Sequence, residues 1–134
     1  MRCAGVSAAG VPFVHEHLFD ASAFADNNGY GLKVFAFLKL ADEKGALPDG
    51  FEAQFGNVVI NIKRILVEAN ATLRDLVKVN VLLTRASDVA TMNKLYAEAF
   101  GPAPYPARTT CVVVALPNPQ MLIEIEGVAS LKAR

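Results

Sequence analysis

Tryptophan is absent from this chain, and histidine and cysteine occur only twice each. His15 and His17 flank Glu16 and would share one face of a strand, a good bidentate start for a metal site. With no other histidine in the chain, third and fourth ligands are missing, so two histidines on a polar strand face are expected and no metal. Cys3 and Cys111 lie in segments of different character, one at the terminus and one in an apolar run. No disulfide is expected between them, and the reducing cytoplasm is the implied location. Cys111 lacks a histidine to activate it and reads as a small buried hydrophobe. An excess of one charge is also missing. Thirteen basic and thirteen acidic residues cancel, and no basic run breaks the balance, which argues against nucleic acid or an anionic membrane as partner. No apolar stretch approaches the roughly 18 residues of a spanning helix, and MRCAGVSAAG is too weakly apolar for a secretory signal. Phosphate-cradling glycine motifs are absent too.

What is present fits one domain, residues 1–134. Apolar residues make up 53% and charged ones only 19%, so part of the apolar surface is expected to face another subunit.

After a glycine- and alanine-rich start, residues 11–19 predict an edge strand behind Pro12. Asn27-Asn28-Gly29 marks a reversal, and Leu32–Leu40 predicts a second strand. Asp49 stands three residues before Glu52, the spacing of a capping box, with Pro48 behind it. From there Phe51, Phe55, Val58, Val59, Ile62, Ile65 and Leu66 form one apolar stripe of about five turns. Gly56 within it is expected to permit close approach to a strand. Val77–Leu83 predicts a third strand. Ser87-Asp88 then caps a second helix carrying Val89, Met92, Tyr96, Ala99 and Phe100, read as core, and Gly101-Pro102 ends it.

The remaining stretch, Tyr105 to Glu126, holds two apolar runs, Cys111–Leu116 and Met121–Ile125, around Pro117-Asn118-Pro119. It predicts two strands joined as a hairpin. Arg108 near one mouth and Glu124 near the other are charges in apolar surroundings, costly to bury unless they meet each other or a ligand. The order strand, strand, helix, strand, helix, strand, strand makes an α+β layer with two helices on one face of a sheet. Strands apolar on both faces need a cover on the other side, and a partner subunit supplies it most simply.

The run PARTT (106–110), the apolar strand after it and LIEIE (122–126) resemble the signature of the reactive intermediate deaminase (RidA/YjgF) family. The resemblance extends through LPDGFEAQ (47–54), NIKRIL (61–66), DLVKVNVLLT (75–84) and MNKLYAEAF (92–100), covering about the last two thirds of the chain. It implies a chorismate-mutase-like α+β fold with a mixed sheet, a homotrimer and one site at each subunit interface. It further implies cofactor-independent hydrolysis of enamines and imines, of the 2-aminoacrylate or 2-iminobutanoate/2-iminopropanoate type, to keto acids and ammonia. Arg108 matches the arginine that holds the substrate carboxylate, and a planar fork suits that task better than lysine. Glu124 matches the acidic residue that activates water; burial should raise its pKa and a nearby arginine should oppose the rise. Asn93 matches a further substrate-binding position, and Thr110 or Cys111 takes the one between Arg108 and the strand.

The first forty residues depart from the pattern. Phe35-Ala36-Phe37 stands where the family has Ser-Gly-Gln, and Phe13 replaces a tyrosine, losing its hydroxyl. The Arg108-to-Glu124 spacing is one residue longer than in archetypal members. A dedicated catabolic deaminase, for example of 2-aminomuconate, or a non-catalytic trimer binding a small carboxylate or a partner, fits the same residues.

Overall fold

The 18-residue helix α1, Phe51–Glu68, organises the layer. Its apolar stripe packs Phe55, Val58, Val59, Ile62 and Leu66 into the core, against a five-stranded sheet. The structure, a computed structural model, describes residues 16–19, 30–37 and 46–132, the first two segments as backbone strands. The strands are β1 (Glu16–Phe19), β2 (Tyr30–Phe37), β3 (Leu76–Leu83), β4 (Ala107–Val112) and β5 (Ile123–Lys132). A second helix, α2 (Val89–Phe100), lies between β3 and β4. This is the element order read from the sequence, and β1 is indeed an edge.

The order across the sheet is β1-β2-β5-β3-β4. β3 and β4 run parallel, and β5 is antiparallel to both β2 and β3. The expected β4–β5 hairpin therefore does not form. Because α2 returns the chain to the starting end of β3, β4 enters parallel to it. The segment after β4 then crosses the end of β3 and delivers β5 to its far side. Three bonds hold that crossing: Val113 N–H to the Leu83 carbonyl at 2.8 Å, Thr84 N–H to Leu122 at 3.2 Å and the Thr84 hydroxyl to Met121 at 3.3 Å.

The two faces of the central strands differ. Val79, Val81 and Leu83 of β3, and Ile123, Ile125 and Ala129 of β5, are sealed under the helices. Asn80 and Leu82, and Leu122, Glu124, Glu126 and Val128, alternate onto the other face and are half-buried. That face is a mixture of apolar and polar groups rather than uniformly apolar. β4 is exposed along nearly its whole length, so Cys111 is an exposed free thiol and not a buried hydrophobe. Among the described residues, an edge strand with one sheet neighbour and a helix over only part of it has nothing else to cover it.

Local details also differ from the sequence reading. Gly50, at φ 83°, is the N-cap of α1, and no side chain caps it. That positive φ, open to glycine and costly for Asp49, moves the helix start one residue on. A capping box occurs instead at Thr72 and Asp75, around a short 3₁₀ turn. Asp88 precedes α2 but gives its carboxylate to Arg85 Nε at 2.7 Å, not to the helix. Gly56 lies exposed with nothing within 4 Å of where a Cβ would stand, so it serves no close approach.

Candidate functional site

Arg108 is the second residue of β4, level with Val79 of β3. It shares that residue's helix-facing side, which aims it at α2. There Arg108 Nη2 donates to Asn93 Oδ1 at 2.7 Å, Nη1 approaches the Met92 sulfur at 3.8 Å, and the guanidinium carbon stands 4.5 Å over the Tyr96 ring. Asn93 and Tyr96 are one helical turn apart, so α2 offers an acceptor and a π-face side by side. The guanidinium has five N–H donors, and contacts to α2 occupy two of its nitrogens while Arg108 stays exposed. The remaining donors can take a planar anion.

Around this clamp the polar groups are unusual. The hydroxyls of Tyr96 and Thr110 are buried and have no hydrogen-bond partner among the described residues. Thr110 is two residues beyond Arg108 and shares its side of β4, level with Val81. Burial pushes the Tyr96 phenol above its ordinary value; the Arg108 charge opposes this and Tyr105 adds to it.

Glu124 belongs to the opposite face. It stands level with Leu82, which is level with Cys111, so Glu124, Leu82 and Cys111 share one rung on the half-open side. Two strand spacings and three residues of stagger put the Cα atoms of Arg108 and Glu124 roughly 14 Å apart, on opposite sides of the sheet. The two charges cannot pair within one chain. Burial raises the Glu124 pKa above its ordinary value, and the neighbouring Glu126 charge adds to it. The arginine expected to oppose that rise is elsewhere. Glu126 itself accepts from Asn80 Nδ2 at 2.6 Å.

Of the other sequence candidates, β2 sets Phe35, Ala36 and Phe37 opposite Gly127, Glu126 and Ile125. They lie beside β5, where only Ala36 takes a register position on the Glu124 face, and stand three strand spacings, about 14 Å, from Arg108. Phe13 and His15 lie outside the described residues. Among the described residues no three His, Cys, Asp or Glu side chains gather as a metal site, and no helix is long and apolar enough to cross a membrane.

Three residues escaped the sequence reading. Tyr96 reads from the sequence as core alone, and Asn80 is not singled out within the third strand. Gln54 carried a readable signal: a polar side chain on the apolar stripe, between Phe51 and Val58. It is 3% exposed and spends its amide on long-range bonds, donating to the Pro48 carbonyl at 3.2 Å and the Gln120 carbonyl at 3.0 Å, and accepting from Leu122 N–H at 2.9 Å. That fixes the chain two residues ahead of Glu124.

A two-helix layer on a mixed sheet, with an arginine clamp on one face and a desolvated glutamate on the other, defines a class that the comparisons identify. Residues 38–131 match the family described as endoribonuclease L-PSP. The chain is 44% identical over 88 residues to a RutC family protein of Pyrococcus abyssi, spanning 65% of this chain and 68% of that one. It is 39% identical over 95 residues to the chloroplastic Reactive Intermediate Deaminase A of Arabidopsis thaliana, 70% of this chain and half of that protein. The crystal structure of RidA from an Antarctic Psychrobacter superimposes with a TM-score of 0.70 at 38% identity, covering 75% of this chain and 80% of that one. The chain belongs to the RidA/YjgF family, whose members include proteins named reactive intermediate deaminases.

Proposed function

We propose that this protein, acting as a single domain over residues 1–134, is a cofactor-independent hydrolase of reactive enamines and imines. It would release 2-keto acids and ammonia from 2-aminoacrylate-type substrates in the cytoplasm. The observation that carries the reading is Arg108, held by Asn93 and the Tyr96 face with donors to spare. A pre-oriented guanidinium binds a carboxylate bidentately and fixes the reacting carbon relative to the protein. The names of the deaminase relatives support the same activity.

Glu124 supplies the acid–base group. An enamine such as 2-aminoacrylate takes a proton on its terminal carbon to become the iminium ion. Water then adds to the iminium carbon, giving its proton to the Glu124 carboxylate, and the neutral carbinolamine forms. The resulting carbinolamine loses ammonia as the hydroxyl proton leaves and the C=O bond forms, so one water enters and one ammonia departs. A carboxyl with a raised pKa takes and returns a proton more readily than one at its ordinary value.

Since Arg108 and Glu124 occupy opposite faces of one sheet, the complete site needs two copies, Arg108 from one and Glu124 from a neighbour. The uncovered edge strand β4 supports such an interface, and a homotrimer fits it. Asn93 and Thr110 would line the clamp side and Cys111 and Ala36 the glutamate side, with Phe13, Phe35 and Phe37 as further substrate contacts. A dedicated deaminase for one catabolic intermediate uses the same parts, and a carboxylate-binding trimer uses the clamp alone. The endoribonuclease description of the family is disfavoured by the balanced charge of thirteen against thirteen, since RNA binding draws on basic surface.

The test is keto-acid release from enamine generated in situ by a dehydratase, measured above the spontaneous rate. Arg108→Ala should lose both turnover and pyruvate binding. Glu124→Gln should keep binding within a few-fold while turnover falls roughly 10²-fold or more. A Glu124→Gln rate equal to wild type would leave the carboxylate-binding trimer as the better reading.

A further inference from the structure

We infer that Tyr96 is a positioning residue for the carboxylate clamp, its ring face fixing the plane in which Arg108 presents its free donors. The inference rests on the reading of Arg108 as the substrate-carboxylate ligand and adds a residue that the sequence pattern assigns to the core. Tyr96 is 4% exposed, buried enough that its ring has one setting. Phe100, one turn further along α2, stacks on it with centroids 4.2 Å apart and planes 10° from parallel. The Arg108 guanidinium carbon is 4.5 Å from the same centroid. Two groups this close to one centroid must take opposite ring faces. Phe100, Tyr96 and the guanidinium therefore form a three-layer column rising from the core to the exposed charge. Met92, one turn earlier, meets Nη1 with its sulfur at 3.8 Å, and Tyr105 tilts against the column at 6.3 Å.

An exposed arginine on an edge strand has many rotamers and loses their entropy when it grips a ligand. The column removes that freedom beforehand: the ring sets the guanidinium plane and Asn93 sets its rotation within the plane. Asn93 alone leaves the plane free to swing about one hydrogen bond. The ring face is the working part of Tyr96, because its hydroxyl is buried without a partner among the described residues and does not hydrogen-bond Arg108.

The discriminating variants are Tyr96→Phe, which keeps the ring, and Tyr96→Leu, which keeps apolar bulk and removes the π-face. Tyr96→Leu should raise KM for in-situ 2-aminoacrylate, and the Kd for pyruvate, roughly 3–10-fold with kcat within twofold, the scale of one exposed cation–π contact. Tyr96→Phe should restore KM and Kd to within twofold of wild type. Independently of activity, the Arg108 Nε–H resonance should be shifted upfield by the ring current in wild type and Tyr96→Phe, and lose that shift in Tyr96→Leu. A folded Tyr96→Leu protein with wild-type KM and Kd would overturn the inference. So would a Tyr96→Phe variant as impaired as Tyr96→Leu, or an unshifted Arg108 signal in wild type even if Tyr96→Leu fails to fold. If Arg108→Ala binds pyruvate as wild type does, the clamp reading itself fails; if only the Tyr96 variants are silent, the clamp stands and Tyr96 does not serve it.

Discussion

Arg108 and Glu124 lie on opposite faces of one sheet, with β3 between their strands and three residues of stagger along them. Each half-site is well formed by itself. Asn93 and Tyr96 steady the arginine, and Gln54 and the sheet steady the strand of the glutamate. What is missing from either half is the other, which is why the first expectation concerns assembly.

Sedimentation at micromolar concentration should give a species near three times the 14.3 kDa protomer mass. Val112, 49% exposed on β4, sits on the strand proposed to meet a neighbour, and Val112→Asp should shift the species toward monomer and abolish turnover. A fully active monomer would end the two-copy site.

Gln54→Leu preserves volume but leaves the part-buried Leu122 N–H and Gln120 carbonyl without their partner. It should cost about 2–3 kcal/mol of stability, read as a lowered denaturant midpoint with unchanged slope. The start of β5 loses its anchor as well, so kcat should fall while pyruvate binding at Arg108 stays near wild type. Equal stability of the variant would show that the amide is not needed where it lies.

Glu124 makes stability depend on pH with a definite sign. Its folded pKa is raised above 4.5 by burial and by Glu126, so the folded state holds the proton more tightly than the unfolded chain. Its favourable contribution is full below the unfolded pKa and is lost as pH rises through the folded one. Glu124→Gln removes this dependence. The variant and wild type should track each other in the lowest part of that window, and the variant should gain on wild type by about 1–3 °C in Tm above it, a small figure because the side chain is partly solvated. A gap that shrinks with rising pH would contradict the assignment.

The same groups set the acid limb of catalysis. If the Glu124 carboxylate receives the water proton, kcat/KM should fall as pH drops through its raised pKa. Glu126→Gln removes the neighbouring charge that adds to the rise, so the midpoint of the limb should move to lower pH with the plateau rate little changed. An unmoved midpoint would mean that another group controls the limb.

Chelation should leave activity intact, and the His15→Ala/His17→Ala double variant should stay folded and active. Activity lost to a chelator and restored by zinc would revive the His15-Glu16-His17 strand as a metal site.

Elements and their order were legible in the sequence because they are local. The stripe from Phe51 to Leu66, the alternation in Val77–Leu83 and the stop at Gly101-Pro102 each depend on neighbours a few residues away. The charged candidates were legible as well, since Arg108 and Glu124 stand out against apolar strands. Only the tertiary structure decided which strand lies beside which. Two apolar runs around Pro117-Asn118-Pro119 read as a hairpin, yet the α2 crossover commits β4 to run parallel to β3, and β5 must then take β3's other edge. That pairing choice, made by the long connections between strands, sends Arg108 to the helix side and Glu124 to the other. It also exposes Cys111, and makes the core residue Tyr96 the floor beneath a charge as well. Side-chain chemistry is written residue by residue, but the face each side chain occupies follows from strand register, which no single stretch of the chain contains.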